Sequence, residues 1–256
     1  MSGLRDITVV EDRTAESRCD VGFLKVRRLL VRNEYADGSA SEPYPCDLVS
    51  RPGVDAVVAV LYDIVQDTGR RRVRVLLREG IRAPILLRRH KTFVQPDPRV
   101  YTSIHELVAG MIEPEDGPGL AGLARRARAE ASEEAGLDVP EASFAPLGGE
   151  TFASPGTGDE KLYYCAARAP IHEASEEQAQ GDGSVMEEGA SLRFLDLAEA
   201  IRACRDGAFP DMKTELGLLR LADQIGYLPQ LDCFVDELPA ELAERYDTLG
   251  ILAAPQ

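Results

Sequence analysis

The chain has 256 residues, 44% of them apolar and 29% charged, with a formal net charge of −15. That length suits one large domain, or one domain with a smaller companion, of ordinary globular composition. The acidity argues against nucleic acid as a partner, because phosphate backbones call for clustered Lys and Arg. No segment approaches the roughly 20 consecutive apolar residues of a membrane span, so no membrane is expected as a partner either.

The first twenty residues, MSGLRDITVVEDRTAESRCD, carry no apolar run after the basic residue, so no secretory signal is expected. Cys19, Cys46, Cys165, Cys204 and Cys233 are scattered and lack CxxC spacing. Such thiols suit a reducing cytoplasm and argue against a disulfide framework or a structural zinc site.

In chain order, residues 21–32 (VGFLKVRRLLVR) read as strand, and residues 33–45, with Gly, Ser and Pro, as turn or loop. Residues 55–62 (DAVVAVLY) suit a buried strand, and residues 72–77 (RVRVLL) begin with the alternation of a half-buried one. These two propose a hairpin around residues 63–71. Residues 88–104, with Pro96 and Pro98, read as an irregular loop.

A helical pattern then runs from Leu120 to Ala135, where Leu120, Ala124, Ala127, Ala131 and Ala135 form a stripe of mostly small residues, with Gly136 as its stop. Further strands are expected at 162–167 and 191–195, and helices at 197–205 and from Thr214 to Ile225. Weak helical character returns near Glu237–Arg245. Strands before, between and after helices give a mixed α/β layer fold.

The most informative segment is residues 129–137, AEASEEAGL. On a helix, Glu130, Glu133 and Glu134 stand at i, i+3 and i+4 and share one face, at a repulsive cost of roughly a few tenths of a kcal/mol per pair. The alanine stripe is expected on the other face, where it would let the helix approach a sheet closely. Three glutamates alone more often make a solvated surface than a site. The same cluster of hard oxygens close to a glycine also suits Mg²⁺ or Mn²⁺.

The segment resembles the second half of the Nudix box, G-x5-E-x7-R-E-U-x-E-E-x-G-U with U aliphatic, except that Ala129 stands at the arginine. Flanking residues resemble the ADP-ribose pyrophosphatase branch. His105–Gly110 (HELVAG) is similar to its W-E-L-P-A-G run, and Gly110–Asp116 (GMIEPED) to G-L-I-E-P-G-E. Residues 154–160 (SPGTGDE) look like S-P-G-x-S-D-E, and Asp211–Thr214 (DMKT) matches D-x-K-T.

The resemblance covers roughly residues 20–228. From Gly110 to Ala129 is 19 positions where the pattern has 14, which places an insertion of about five residues at 117–121, in the turn before the helix. Asp116 falls at the box's first glutamate. Arg126, at i−4 from Glu130, is the candidate substitute for the missing arginine.

The resemblance implies a Nudix α/β/α sandwich with a mixed sheet over residues 51–228. It also implies a small β-rich N-terminal part over 1–50 that helps to form a homodimer, and leaves 229–256 as a C-terminal extension. It implies that Glu130, Glu134 and the Ala109 carbonyl bind Mg²⁺ (or Mn²⁺), with Glu133 as a further ligand and catalytic carboxylate. Glu160 is then the candidate general base, Arg82 the phosphate contact and Glu106 a contact to the nucleoside or ribose. Phe152 fits either core packing or stacking on a base.

The reaction so implied is Mg²⁺-dependent hydrolysis of a nucleotide sugar, ADP-ribose first, to AMP and ribose 5-phosphate. The alternative is a Nudix-like module that binds a nucleotide sugar without cutting it. Other nucleotide sugars or a dinucleotide also remain open.

Overall fold

A computed structural model of the chain describes residues 21–248, apart from 68, 178 and 180–188. The elements follow in chain order: β1 Lys25–Val31, β2 Tyr44–Ser50, β3 Ala56–Asp67, β4 Arg70–Gly80, the short helix α1 Ala83–Leu86, β5 Ile104–Glu106 and β6 Val108–Met111. Next come the long helix α2 Gly119–Ala135, β7 Ala145–Pro146, β8 Thr151–Phe152, β9 Lys161–Arg168, β10 Ser191–Asp196, α3 Leu197–Arg205 and α4 Met212–Ile225. The hairpin β11 Tyr227–Leu228 and β12 Cys233–Phe234 precedes α5 Ala240–Thr248.

The fold is of the mixed α/β class. A large sheet runs in the order β10-β4-β3-β9-β7, with β5 beside β4, β6 beside β3 and β8 beside β9. β3 and β9 are parallel; every other pairing is antiparallel. Strand β3 is apolar on both faces because helices cover both. Val58 and Val60 join the cluster beneath α3 and α4, whereas Val57, Ala59 and Leu61 join the one beneath α2. That double burial is why residues 55–62 read as a continuous apolar run rather than an alternation.

The β3–β4 hairpin pairs from Tyr62↔Val75 to Asp67↔Arg70. Beyond that point β3 pairs with β6 and β4 with β5 (Val58↔Ala109, Arg78↔Glu106). The open end of the hairpin is thus splayed and filled by residues 104–111, which carry Glu106, Ala109 and Gly110. Helix α4 fixes this wedge. Asp211 caps its N-terminus by accepting from Thr214 N and Oγ1 (3.1 and 2.6 Å), and Thr214 Oγ1 accepts from Leu107 N (2.9 Å).

Helix α2 corrects three expectations. It starts at Gly119, so residues 119–121 of the insertion lengthen the helix rather than the turn. Leu120, on that added turn, is exposed and does not join the stripe. Glu130 and Glu134 are buried on the sheet side beside Ala127 and Ala131, not on the opposite face. The reason is helical geometry, since a residue at i+3 lies only about 60° around the helix from its neighbour.

The N-terminal hairpin β1–β2 forms its own two-stranded sheet; residues 1–20 lie outside the described residues. Strand β2 falls partly in residues read from sequence as loop. At the other end, the β11–β12 hairpin spans residue 228, and Tyr227 and Phe234 belong to the core beneath α4, so the chain continues as part of the domain past that residue. No described helix is long and apolar enough to cross a membrane. Cys46, Cys165, Cys204 and Cys233 are all free thiols, and burial pushes Cys165 and Cys204 up to about 12.

Candidate functional site

Two buried carboxylates, Glu130 (8% exposed) and Glu134 (4% exposed), descend from α2 onto β6. Glu134 Oε2 accepts from the Ala109 amide (3.1 Å), and its Oε1 accepts from the Arg78 guanidinium. Arg78 comes from β4, two residues beyond Leu76, so strand alternation points it at the same α2 layer. Glu130 lies against Gly110, where a Cβ would overlap its carboxylate. Glu133, the third glutamate, is half-buried.

Gly110→Ala is therefore expected to evict the Glu130 carboxylate and destabilise the fold by about 1–3 kcal/mol, as overpacking does. Thermal unfolding together with a Mg²⁺ titration checks it. A variant with wild-type stability and wild-type metal response would show that this cradle is unimportant.

Arg126 is a buried hub rather than a surface arginine. Its Nε donates to Asp116 Oδ2 (2.9 Å), its Nη2 to Glu113 Oε2 (2.6 Å), and its Nη1 stands 3.6 Å from Glu130 Oε1. Asp116 Oδ2 also accepts from Glu113 N (2.7 Å). Burial opposes the Arg126 charge, but Asp116 and Glu113 outweigh it and push its pKa up. Asp116 is thus occupied in anchoring the turn before α2. Arg126, three residues before Ala129, clamps that turn to the helix and to Glu130.

Among the described residues, no group of three or more His, Cys, Asp or Glu side chains stands together as an ion-holding set. Glu130 and Glu134 nonetheless bring hard carboxylate oxygens to Ala109–Gly110. Such a pair suits Mg²⁺, which keeps several waters and takes only one or two carboxylates from the protein. The Gly110 cradle beside Glu130 and the amide bond to Glu134 hold both carboxylates against one strand segment, which fits such an ion.

Glu160 is not gathered with these glutamates. It sits at the end of the loop between β8 and β9 and pairs with Arg51 Nη2, which also donates to Val54 O (3.2 Å). The same loop is gripped twice more from β2: Val49 N donates to Thr157 O (2.8 Å) and Ser50 Oγ to Asp159 Oδ2 (2.8 Å). Phe152 is exposed, with Lys161 Nζ 5.4 Å from its ring centre, so it does not pack in the core.

Arg82 and Glu106 do meet: Arg82 Nε donates to Glu106 Oε2, while Lys213 Nζ donates to Glu106 Oε1 and to Asp211 Oδ2 (3.0 Å). Burial would raise the Glu106 pKa, but Lys213 and Arg82 overcome it and hold the carboxyl below the usual range. For Lys213 burial works against the charge, and Glu106 and Asp211 prevail and raise its pKa.

The folded Glu106 value lies below the unfolded one. Its stabilisation is complete above the unfolded value, roughly 4.3, and is lost as pH falls through the lowered folded value. For Lys213 it is complete below the unfolded value, roughly 10.4, and is lost as pH rises through the raised one. The urea-midpoint gap between wild type and Glu106→Gln should hold steady from about pH 5 to about pH 9 and close below about pH 4. A gap that persists in acid would refute the ionic account.

Arg78, Arg51 and Lys213 were not assigned roles from sequence. The alternation of β4 marks Arg78, and the DMKT motif contains Lys213. For Arg51, whose ion-pair partner Glu160 lies 109 positions away, there is no local signal. No protein-family model matches the chain, and no curated protein matches it at significant similarity.

Proposed function

We propose that the chain is a Mg²⁺-dependent hydrolase of the Nudix type, cleaving the pyrophosphate of a nucleotide sugar, with ADP-ribose giving AMP and ribose 5-phosphate as the first candidate. One observation carries the reading. Two buried glutamates of a single helix turn, Glu130 and Glu134, are pressed onto Ala109–Gly110 of the same 104–111 wedge that bears Glu106. Burying such carboxylates is costly unless their charge is used or paired, and the helices flanking a mixed sheet are compatible with a Nudix sandwich.

In this reading Glu130, Glu134 and the Ala109 carbonyl hold the ion, with Glu133 as a further ligand. Magnesium bound there would offset the pyrophosphate charge and acidify the attacking water. Arg82, already beside Glu106, contacts a phosphate oxygen through its free guanidinium edge. Glu106, held ionised by Lys213, accepts from substrate hydroxyls. Glu160 accepts the water's proton once its loop brings it over from Arg51.

Leu30 and Tyr44 are exposed on a sheet of only two strands, which is marginal alone, and Phe23, just before it, is exposed as well. That surface supports a homodimer. The free thiols support a reducing, cytoplasmic setting.

A second reading is a module that binds a nucleotide sugar without cutting it. Its support is that Arg78 and Arg126 already neutralise Glu134 and Glu130, and that Glu160 stands apart from both. Release of AMP and phosphosugar from ADP-, UDP- and GDP-sugars, with and without Mg²⁺, decides between them. Metal-dependent cleavage of one class establishes the hydrolase, whereas saturable binding without turnover favours the module.

A further inference from the structure

Beyond Glu106 the structure opens into a cleft of about 380 Å³, within the roughly 300–1,000 Å³ of small-molecule sites. Ile85, Ile104 and Pro210 supply apolar walls, Tyr101 an aromatic one, and Glu106 and Asp211 a pair of carboxylates. Asp211 Oδ2 already accepts from Lys213 and twice from Thr214, and Oδ1 has no donor among the described residues. Arg88 also lines the cleft, 3.4 Å from Asp97 and with the Phe93 ring 4.3 Å away, and adds a cation to its rim.

The outer wall belongs to residues 88–103, and Asp97 organises it. Tyr101 Oη donates to Asp97 Oδ2 (3.1 Å), Arg99 N donates to Asp97 Oδ1 (3.3 Å), and Arg99 Nη1 ties the segment to Gly207 O (2.7 Å). The segment without regular structure is therefore a fastened wall rather than a loose loop.

The chemistry of the lining selects its ligand. Lys213 and Arg82 already balance the charge of the two carboxylates, so what these offer a ligand is acceptor oxygens, Asp211 Oδ1 foremost, which reward a group rich in hydroxyl donors, while the apolar and aromatic walls suit the C–H face of a ring. Arg82 binds Glu106, which lines the cleft, so a phosphate held by Arg82 would bring its attached sugar within reach of it. We propose that this cleft holds the terminal sugar of the nucleotide sugar and that Tyr101 is the specificity-determining residue. The proposal rests on the reading of Arg82 as the phosphate contact.

The test is calorimetric binding in EDTA, so that nothing is cleaved, using ADP-ribose, UDP-glucose and the parent ADP and UDP. Wild type should bind at least one nucleotide sugar more tightly than its parent diphosphate. Tyr101→Ala, and Ile85→Trp, which fills part of the cleft with a larger side chain, should weaken that nucleotide sugar about ten-fold while leaving the diphosphate unchanged. Thermal unfolding identifies a variant that fails to fold, and the other variant then decides. Equal losses for sugar and diphosphate would place the nucleoside half in the cleft and overturn the proposal, as would no loss at all. Sugar-selective binding with these losses, in a protein that shows no Mg²⁺-dependent cleavage, would uphold the cleft and sink only the hydrolase.

Discussion

Glu134→Gln is expected to lower Mg²⁺-dependent cleavage by about 10²- to 10³-fold, the scale on which removal of a placed electrostatic group acts, while the protein still folds. The amide is isosteric and its oxygen can still accept from Ala109 N, so the helix keeps its seat on β6. What disappears is the negative charge, and with it a ligand of the proposed ion and one counter-charge of Arg78, whose side chain is only 11% exposed. The stability cost should therefore be modest, about 1–3 kcal/mol. Initial rates across a Mg²⁺ titration, beside a urea melt, separate the two effects. Near-normal turnover would sink the ion-site assignment.

Arg126→Ala should destabilise the fold by about 3–5 kcal/mol, the usual consequence of removing one partner from a buried ionic cluster. Asp116 would be left with uncompensated charge in a position 4% exposed, Glu130 would lose one of its partners, and the turn before α2 would lose its clamp. Arg126→Lys should recover only part of the loss, since a single ammonium cannot replace a guanidinium that reaches Glu113, Asp116 and Glu130 together. An unchanged urea midpoint for Arg126→Ala would reject the clamp. The half-saturating Mg²⁺ concentration reads its effect on Glu130, and no change there would reject the link to the glutamate pair.

The parts of this fold that sequence makes legible are those whose stabilisation is periodic. The runs in β3, β4, β9 and β10 and the stripes in α2 and α4 fall where pattern places them, within a few residues. Strand β2 does not: its sequence, YPCDLVS, has no alternation, and it exists because β1 offers it a seven-residue antiparallel partner. Strands β5 and β6 are three and four residues long and are defined by the splayed hairpin they fill.

The site divides similarly. Glu130, Glu134, Glu106 and Arg82 occupy places that local motifs indicate, and the structure brings Arg82 to Glu106 and both glutamates to Ala109–Gly110. A single alanine stripe does not mark the whole buried surface of α2, because the sheet covers a sector wide enough for both alanines and carboxylates. Arg51 is invisible to any local window because its partner, Glu160, lies 109 positions away.

Val49, Ser50 and Arg51 fasten Thr157, Asp159 and Glu160 in turn, so lifting the 154–160 loop off this edge of the N-terminal hairpin breaks all three contacts together. The Val49 amide points outward to the Thr157 carbonyl, so it meets solvent only when that loop lifts away. Its hydrogen-exchange rate is then a clock for the loop, ticking at the frequency with which Glu160 is set free. Ser50→Ala, which removes one of the three fastenings, should make the clock run faster without disturbing amides in the middle of β3.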